Sequence, residues 1–139
     1  MRYNDPSPLE VRVISQRFDL PNSASIDTYL ANDGYLAIKK AIGMTPEAII
    51  DAWSTFRGKP QEMGLPSAPP QPLVYLPEVN RPQPLLDANR DGGMGVTVGR
   101  LRQCPIQSYK FVALGHNTIR GAAGAAILNA ELMHREGLL

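Results

Sequence analysis

The sequence predicts an α+β fold with short N-terminal helices, a proline-rich crossing, a small antiparallel sheet and a long C-terminal helix. Three observations carry this prediction. Apolar residues recur at helical spacing from Ser25 to Phe56. The segments "VTVGRLR" and "SYKFVALG" alternate apolar and polar residues, as strands do. The run from residue 117 to residue 136 carries a broad face of small and apolar side chains at helical spacing.

The first helical region is "SIDTYLANDGYLAIKKAIG". Its apolar pattern is interrupted near Asn32-Asp33-Gly34, which predicts two short helices, the second ending at Gly43. A third helix is predicted to start at Thr45-Pro46-Glu47 and to stop before Gly58. Thr is a good N-cap, and Pro at the first helical position has the right φ without losing a needed N–H group.

Residues 58–95 contain eight of the thirteen prolines of the chain. Such a segment is either an ordered extended crossing or a flexible linker, and its composition slightly favours the linker. Within it, "LVYL" predicts a short edge strand, because prolines flank it on both sides. "VTVGRLR" and "SYKFVALG" then predict two strands joined by a turn at Cys104-Pro105. A sheet this small leaves edges open, so we expect self-association through these strands.

The predicted terminal helix contains Gly121 and Gly124 near its start. Two glycines inside a helix cost about 2 kcal/mol relative to alanine, which indicates that the helix approaches a partner closely there. Asn117 or Thr118 is the expected N-cap. The helix is either a core helix packed through small residues or one whose free N–H groups hold a polar ligand.

Composition limits the classes of function. The 139 residues suffice for one domain, and fourteen Lys and Arg nearly balance thirteen Asp and Glu, which argues against nucleic acid as a partner. The single cysteine excludes an intramolecular disulfide and fits a reducing compartment. We find no signal peptide and no apolar run of membrane-spanning length, so we expect a soluble cytoplasmic protein.

Residues from about 52 to 139 resemble the C-terminal part of aspartate-semialdehyde dehydrogenases. The matching segments are "AWSTFRGKPQEMGLPSAPPQPLVYL", "NRPQPLLD", "VTVGRLRQCP" and "YKFVALGHNTIRGAAGAAILNAEL". The resemblance implies NADPH-dependent reduction of aspartyl phosphate to aspartate semialdehyde. It implies that the terminal helix packs back on an N-terminal Rossmann domain, so that its glycines approach a nucleotide-binding sheet outside this sequence. It also makes Asn117 and Thr118 the expected NADP contacts.

The catalytic groups of that family have no counterpart in this sequence, so we expect a fragment that is inactive alone, and we assign no catalytic residue and no metal ligand. Cys104 matches a non-catalytic position, and no base or helix N-terminus lies near it in sequence to activate a thiolate. His116 is expected to be structural. Arg100 and Arg102 are expected to be exposed strand or interface residues.

Residues from about 1 to 51 resemble the N-terminal region of the NADH- and FMN-binding subunit of respiratory complex I. The specific part is "IDTYLANDGYLAIKKAIGMTPEAII". The match ends before that family's flavin-binding loop, and one cysteine cannot ligate a four-iron cluster. The sequence therefore suggests a fusion of two fragments, 1–51 and 52–139, joined inside "TPEAIIDAWSTF".

Three hypotheses about function follow. The chain is part of a semialdehyde dehydrogenase, contributing one cofactor contact and part of a subunit interface. Alternatively, it is an interaction or dimerisation module that binds an intact dehydrogenase subunit or a second copy of itself. A third hypothesis makes it a fragment of the NADH-quinone oxidoreductase flavin subunit, through residues 1–51.

Overall fold

A computed structural model describes residues 17–139. Contacts divide the chain into two compact units, Met1–Gly43 and Met44–Leu139. Residues 1–16, which include the start of the segment that resembles the flavin subunit, lie outside the described residues. Within the described part, no helix combines the length and the apolar character needed to cross a membrane.

The first unit contains two short helices, α1 (Ile26–Ala31) and α2 (Leu36–Ile42). The Ser25 hydroxyl caps α1 by accepting a hydrogen bond from the Asp27 N–H group at 3.2 Å. The chain turns between the helices through left-handed backbone at Asp33 and Tyr35. The predicted pair of helices and the end at Gly43 are thus confirmed. Neither helix has a buried residue, so these two helices contribute little to a core.

Helix α3 (Pro46–Thr55) opens the second unit as predicted. The Thr45 hydroxyl accepts a hydrogen bond from the Ala48 N–H group at 3.2 Å, and Pro46 stands at the first helical position. The helix ends before Gly58, where the prediction placed its end.

The proline-rich segment is an ordered crossing. The prediction of a flexible linker, which its composition slightly favoured, is therefore wrong. It contains helix α4 (Lys59–Glu62), helix α5 (Pro84–Asp87) and a 3-10 turn (Arg90–Gly93). The physical reason is burial, because the segment inserts apolar side chains into the core. Leu65 is 4 % exposed, and Pro69, Pro72 and Pro82 are buried.

The sheet has three strands in the order β1 (Leu73–Leu76), β2 (Val96–Cys104) and β3 (Ser108–Leu114). "LVYL" is the predicted edge strand, and β2 and β3 form the predicted antiparallel pair. However, β1 runs parallel to β2, with Leu73 opposite Val96, so the sheet is mixed rather than wholly antiparallel. The long crossing between β1 and β2 allows this, because a parallel pair needs a connection much longer than a hairpin turn.

Helix α3 covers one face of the sheet through aromatic contacts. The Trp53 ring lies 5.1 Å from the Phe111 ring and 6.3 Å from the Tyr75 ring, measured between centroids. The Tyr109 hydroxyl donates a hydrogen bond to the Met44 carbonyl at 3.2 Å. These contacts fix the helix across all three strands, since Val98 of β2 lies between Tyr75 and Ala113 in the register.

The terminal helix begins as a π-helical turn (Ile119–Ala123) and continues as α6 (Gly124–Arg135). Its buried residue, Leu128, packs with Leu65 of the crossing and with Met94 just before β2. Partly buried side chains surround this core, namely Met63, Ala68, Ile119 and Leu132. The predicted long C-terminal helix is confirmed, and the expected α+β fold with it.

Candidate functional site

The start of the terminal helix is capped by a residue that the sequence did not single out for this role. The Ile119 N–H group donates to Nδ1 of His116 at 3.2 Å, and the Thr118 hydroxyl lies 3.1 Å from the same atom. Because Nδ1 accepts this hydrogen bond, the neutral ring carries its proton on Nε2. The expectation that His116 is structural fits this contact.

The expected N-cap position, Asn117 or Thr118, is confirmed at Thr118. Thr118 is the residue before the π-helical turn, but its backbone is already helical and its side chain makes no cap bond. The capping hydrogen bond is supplied instead by the neighbouring His116, whose imidazole accepts from the first free N–H group of the helix start.

Asn117 and Thr118 both lie at the surface. The side chain of Asn117 makes no hydrogen bond to any residue between 17 and 139, since His116 fills the capping role beside it. The site therefore presents a free amide next to the helix start. The first turn of this helix is held by π-type hydrogen bonds, from the Gly121 N–H group to the His116 carbonyl and from the Ala123 N–H group to the Thr118 carbonyl, both at 3.0 Å.

The two glycines of the terminal helix have different surroundings. A Cβ atom at Gly124 would lie 2.5 Å from the Met94 sulfur and 2.9 Å from Cγ2 of Ile119. At Gly121 the nearest atom would be the His116 carbonyl oxygen at 3.7 Å, an ordinary contact. The close partner of Gly124 thus lies inside this chain, contrary to the expectation of a sheet outside it. Gly121 meets no close partner among the described residues.

A left-handed turn brings Met94 beneath the helix. Asp91, Gly92 and Gly93 have φ values of 50°, 64° and 84° in succession, which glycine adopts readily and aspartate tolerates. Gly93 packs against Ile119, whose Cδ1 atom would lie 3.0 Å from an added Cβ. The motif "DGGMG" therefore gives close packing against the start of the terminal helix, a role that the sequence analysis missed.

Two open clefts border this region. One of about 370 Å³ lies between residues 66–70, the turn at Asp91 and Gly92, and the helix at Gly124. The other, of about 320 Å³, lies between helix α4 and the residues that follow it. Neither cleft is lined by Asn117 or Thr118, so the sequence-predicted contact residues stand on an open surface.

The loop 66–70 is tied to the terminal helix by a charged pair of hydrogen bonds. The Ser67 N–H group and hydroxyl donate to the two carboxylate oxygens of Glu131, at 3.0 Å and 2.7 Å. Farther along the helix, Glu136 forms an ion pair with Lys59 of α4. These contacts hold the proline-rich crossing against the terminal helix.

A buried ion pair fixes the crossing beside the sheet. The Asp87 carboxylate, with no exposed side-chain surface, accepts from Nε and Nη2 of Arg81 and from the Gln83 N–H group at 2.7 Å. The Arg81 hydrogen bond lowers the pKa of Asp87 to about 2, and the Gln83 N–H group adds to this against the opposing effect of burial. The same contact raises the pKa of Arg81. Arg90 approaches the carboxylate at 3.9 Å, and its buried Nε has no partner within residues 17–139.

Cys104 lies at the end of β2, opposite Ser108. The backbone N–H groups of Ile106 and Gln107 lower the pKa of its thiol, and the charges of Lys110 and Arg102 act in the same direction. From the sequence, no base or helix N-terminus was expected beside Cys104, and the groups that favour its thiolate are instead the N–H groups of the hairpin turn. The thiol is nevertheless far from Asn117, since β3 separates the two and spans about 20 Å.

Arg100 and Arg102 are both exposed, as expected. The β2–β3 register shifts between Gly99 and Arg102, and Arg100 adopts a left-handed φ of 56° at this bulge. Its guanidinium donates to the Asn80 carbonyl at 3.0 Å and approaches the Pro82 carbonyl at 3.4 Å. Arg100 therefore holds the crossing to the sheet. In the described part of the chain, no group of three His, Cys, Asp or Glu side chains is placed to bind a metal ion.

The family model described as "Semialdehyde dehydrogenase, dimerisation domain" matches residues 34–120. Among curated relatives, an aspartate-semialdehyde dehydrogenase of Methanothermobacter thermautotrophicus is 57 % identical over 86 residues, covering 60 % of this chain and 25 % of that protein. One of Trichophyton rubrum is 34 % identical over 131 residues, which cover 93 % of this chain and 34 % of that protein. The chain thus spans a quarter to a third of the length of these relatives.

A malonyl CoA reductase (NADP) of Metallosphaera sedula is also similar, with 41 % identity over 66 % of this chain and 26 % of that protein. These matches support the resemblance of the C-terminal part. They give no support to the resemblance of residues 1–51 to the flavin subunit of complex I, which stays a prediction, as does a boundary at residues 51 and 52.

Among solved structures, the crystal structure of aspartate semialdehyde dehydrogenase with NADP from Candida albicans resembles this fold with a TM-score of 0.62. The identity is 39 %, and the match covers 70 % of this chain and 28 % of that one. The sequence match, the family model and the fold agree. The chain therefore belongs to the semialdehyde dehydrogenase dimerisation-domain family.

Proposed function

We propose that this chain acts as part of an aspartate-semialdehyde dehydrogenase. In this role it supplies a portion of the dimerisation domain and one contact to NADP at the start of the terminal helix. The reaction is the NADPH-dependent reduction of aspartyl phosphate to aspartate semialdehyde, in amino-acid biosynthesis. Relatives named aspartate-semialdehyde dehydrogenase support the role of the chain as a whole. The free amide of Asn117 is the observation that supports Asn117 as the NADP contact.

The chemistry of the helix start suits this role. Because His116 satisfies the Ile119 N–H group, the Asn117 amide keeps both its donors and its acceptor for a ligand. A nicotinamide ring bears a carboxamide, which is complementary to an amide side chain. The neighbouring Thr118 hydroxyl is exposed and adds a second group that can donate or accept. Neither residue performs chemistry in this proposal. They orient the cofactor.

The test is a chemical-shift titration of the labelled chain with NADP. We expect shifts confined to the backbone and side-chain amides of residues 115–120, and the loss of those shifts in Asn117→Ala. Asn129→Ala is the matched control, because Asn129 is an exposed asparagine on α6 away from the helix start. Shifts centred on the hairpin, or shifts unaffected by Asn117→Ala, would contradict the assignment.

We expect no turnover by the chain alone. The only thiol, Cys104, is separated from Asn117 by the length of β3, too far for it to attack a group beside a cofactor held there. Incubation with aspartate semialdehyde, phosphate and NADP should leave the NADPH absorbance unchanged. NADPH formation would show that a nucleophile acts within this chain, and Cys104→Ser would then identify or exclude that thiol.

A second candidate role is an interaction or dimerisation module. It is favoured by the family match and by apolar side chains at the surface of the second unit, including Ile106 at 88 % and Phe111 at 51 % exposure. We expect the chain to form homo-oligomers or to bind an intact dehydrogenase subunit. Sedimentation of the chain alone, and co-purification with a full-length aspartate-semialdehyde dehydrogenase, separate these outcomes; a monomer that binds no subunit would contradict both.

The resemblance of residues 1–51 to the flavin subunit adds a third candidate role, as a fragment of that subunit. The purified protein can be tested for it directly. We expect no bound FMN, since that segment resembles only the part of the family before its flavin-binding loop. A flavin absorbance spectrum in the purified protein would overturn this expectation.

A further inference from the structure

His116 binds two backbone donors at the start of the terminal helix with two different groups. Its Nδ1 atom accepts from the Ile119 N–H group at 3.2 Å, and its carbonyl oxygen accepts from the Gly121 N–H group at 3.0 Å. The second bond fixes the backbone that carries the half-buried imidazole. One residue therefore serves two of the N–H groups that a helix start leaves without partners inside the helix.

The Ile119 N–H group is also the natural partner of the Asn117 side chain. Asparagine side chains commonly accept a hydrogen bond from the N–H group two residues later in the chain, which forms an Asx turn. Ile119 stands in that position relative to Asn117. In the structure this N–H group is bound to His116, and Asn117 makes no hydrogen bond to any residue between 17 and 139. The two side chains therefore compete for one donor, and the imidazole of His116 holds it.

We propose that His116 is a positioning residue for the cofactor contact. Because its imidazole occupies the Ile119 N–H group, Asn117 forms no Asx turn and its carboxamide stays available to a ligand. The inference deepens the proposed function and rests on it, since this carboxamide is the group proposed to contact NADP. His116 touches no cofactor in this arrangement and acts only through Asn117. An Asn117 side chain closed into an Asx turn would direct its oxygen towards the backbone and away from a ligand.

Two substitutions at residue 116 separate the acceptor atom from the shape of the ring. His116→Phe keeps a planar ring and removes the acceptor. His116→Asn loses the ring but places an amide oxygen close to the position of Nδ1, and asparagine is a favoured residue for capping a helix start. His134→Phe is the matched control, because His134 is an exposed histidine near the other end of the same helix.

The competition is tested without a ligand by thermal unfolding of a double-mutant cycle. In His116→Phe the Asn117 oxygen can accept from the Ile119 N–H group, so the midpoint of unfolding should fall little. In His116→Phe combined with Asn117→Ala neither acceptor remains. We expect the loss in the double variant to exceed the sum of the losses in the two single variants. Additive losses would show that the two side chains do not share this donor, and would overturn the inference.

The hydrogen bond itself can be observed in the unsubstituted chain. In isotope-labelled protein we expect a scalar coupling across the bond between the Ile119 backbone nitrogen and Nδ1 of His116. This measurement does not depend on the folding of any variant. Absence of the coupling while the protein is folded overturns the inference.

The consequence for the cofactor is measured by titrating the same variants with NADP. We expect His116→Phe to weaken binding about two- to tenfold, because the ligand must first displace the hydrogen bond between Asn117 and the backbone. His116→Asn should restore most of the affinity, and His134→Phe should bind as the wild type does. In an Asn117→Ala background His116→Phe should cause no further loss, since the residue through which His116 acts is gone. A further loss there, or equal binding by the wild type and His116→Phe, overturns the inference.

Failure of the proposed function gives a different set of results. A wild-type chain that does not bind NADP, together with a non-additive unfolding cycle, removes the cofactor contact and supports the role of His116 in keeping Asn117 free. NADP binding that Asn117→Ala abolishes, together with an additive unfolding cycle, supports the contact and overturns the role of His116.

Discussion

Asp87 shows how one buried residue holds the crossing in place. Its carboxylate accepts hydrogen bonds from Nε and Nη2 of the Arg81 guanidinium and from the Gln83 N–H group, and its side chain has no exposed surface. Replacing it by asparagine removes the charge that compensates Arg81. We expect Asp87→Asn to lower the free energy of unfolding by about 3 kcal/mol, measured by urea denaturation.

Asp91→Asn is the control for that variant. Asp91 is exposed, and its left-handed backbone suits asparagine as well as aspartate. We expect a change within about 0.5 kcal/mol. Equal losses in the two variants would show that charge in this loop, rather than the buried pair, determines stability.

The lowered pKa of Asp87 predicts a dependence of stability on pH. The folded-state pKa of about 2 lies below the ordinary value for aspartate, so the unfolded chain takes up a proton at a higher pH than the folded chain does. The stabilisation is complete above the ordinary pKa and is lost as the pH falls towards 2. We expect the unfolding free energy to fall over this window in the wild type and less steeply in Asp87→Asn. Parallel profiles in the two proteins would refute the assignment.

At the scale of single elements, the terminal helix contains two glycines with opposite expected effects. A Cβ at Gly124 would overlap the buried Met94 sulfur and approach the Ile119 carbonyl at 3.1 Å, so Gly124→Ala should destabilise the protein by about 1–3 kcal/mol despite the better helix propensity of alanine. Gly121→Ala meets no such contact and should stabilise by up to about 1 kcal/mol. Thermal unfolding of the two variants measures both, and a common sign would contradict the packing.

At the scale of the whole molecule, the core is small relative to the surface. Among residues 17–139, six hydrophobic side chains other than proline are buried, whereas many large apolar side chains are exposed in both units. A second copy that binds only the folded state would add stability by mass action. We therefore expect the midpoint of thermal unfolding to rise with protein concentration. A midpoint independent of concentration would count against self-association.

The sequence by itself determined the local elements, because each depends on neighbours in the chain. Thr45-Pro46 sets the start of α3, the prolines around "LVYL" restrict that strand to an edge, and alternation defines β2 and β3. Only the tertiary structure decided the partners across distance. The parallel pairing of β1, the burial of Leu65 within a proline-rich segment and the contact of Gly124 with Met94 all join residues whose approach no local pattern encodes. Such contacts arise from packing in three dimensions, where an apolar side chain is buried against whatever surface the rest of the fold brings to it.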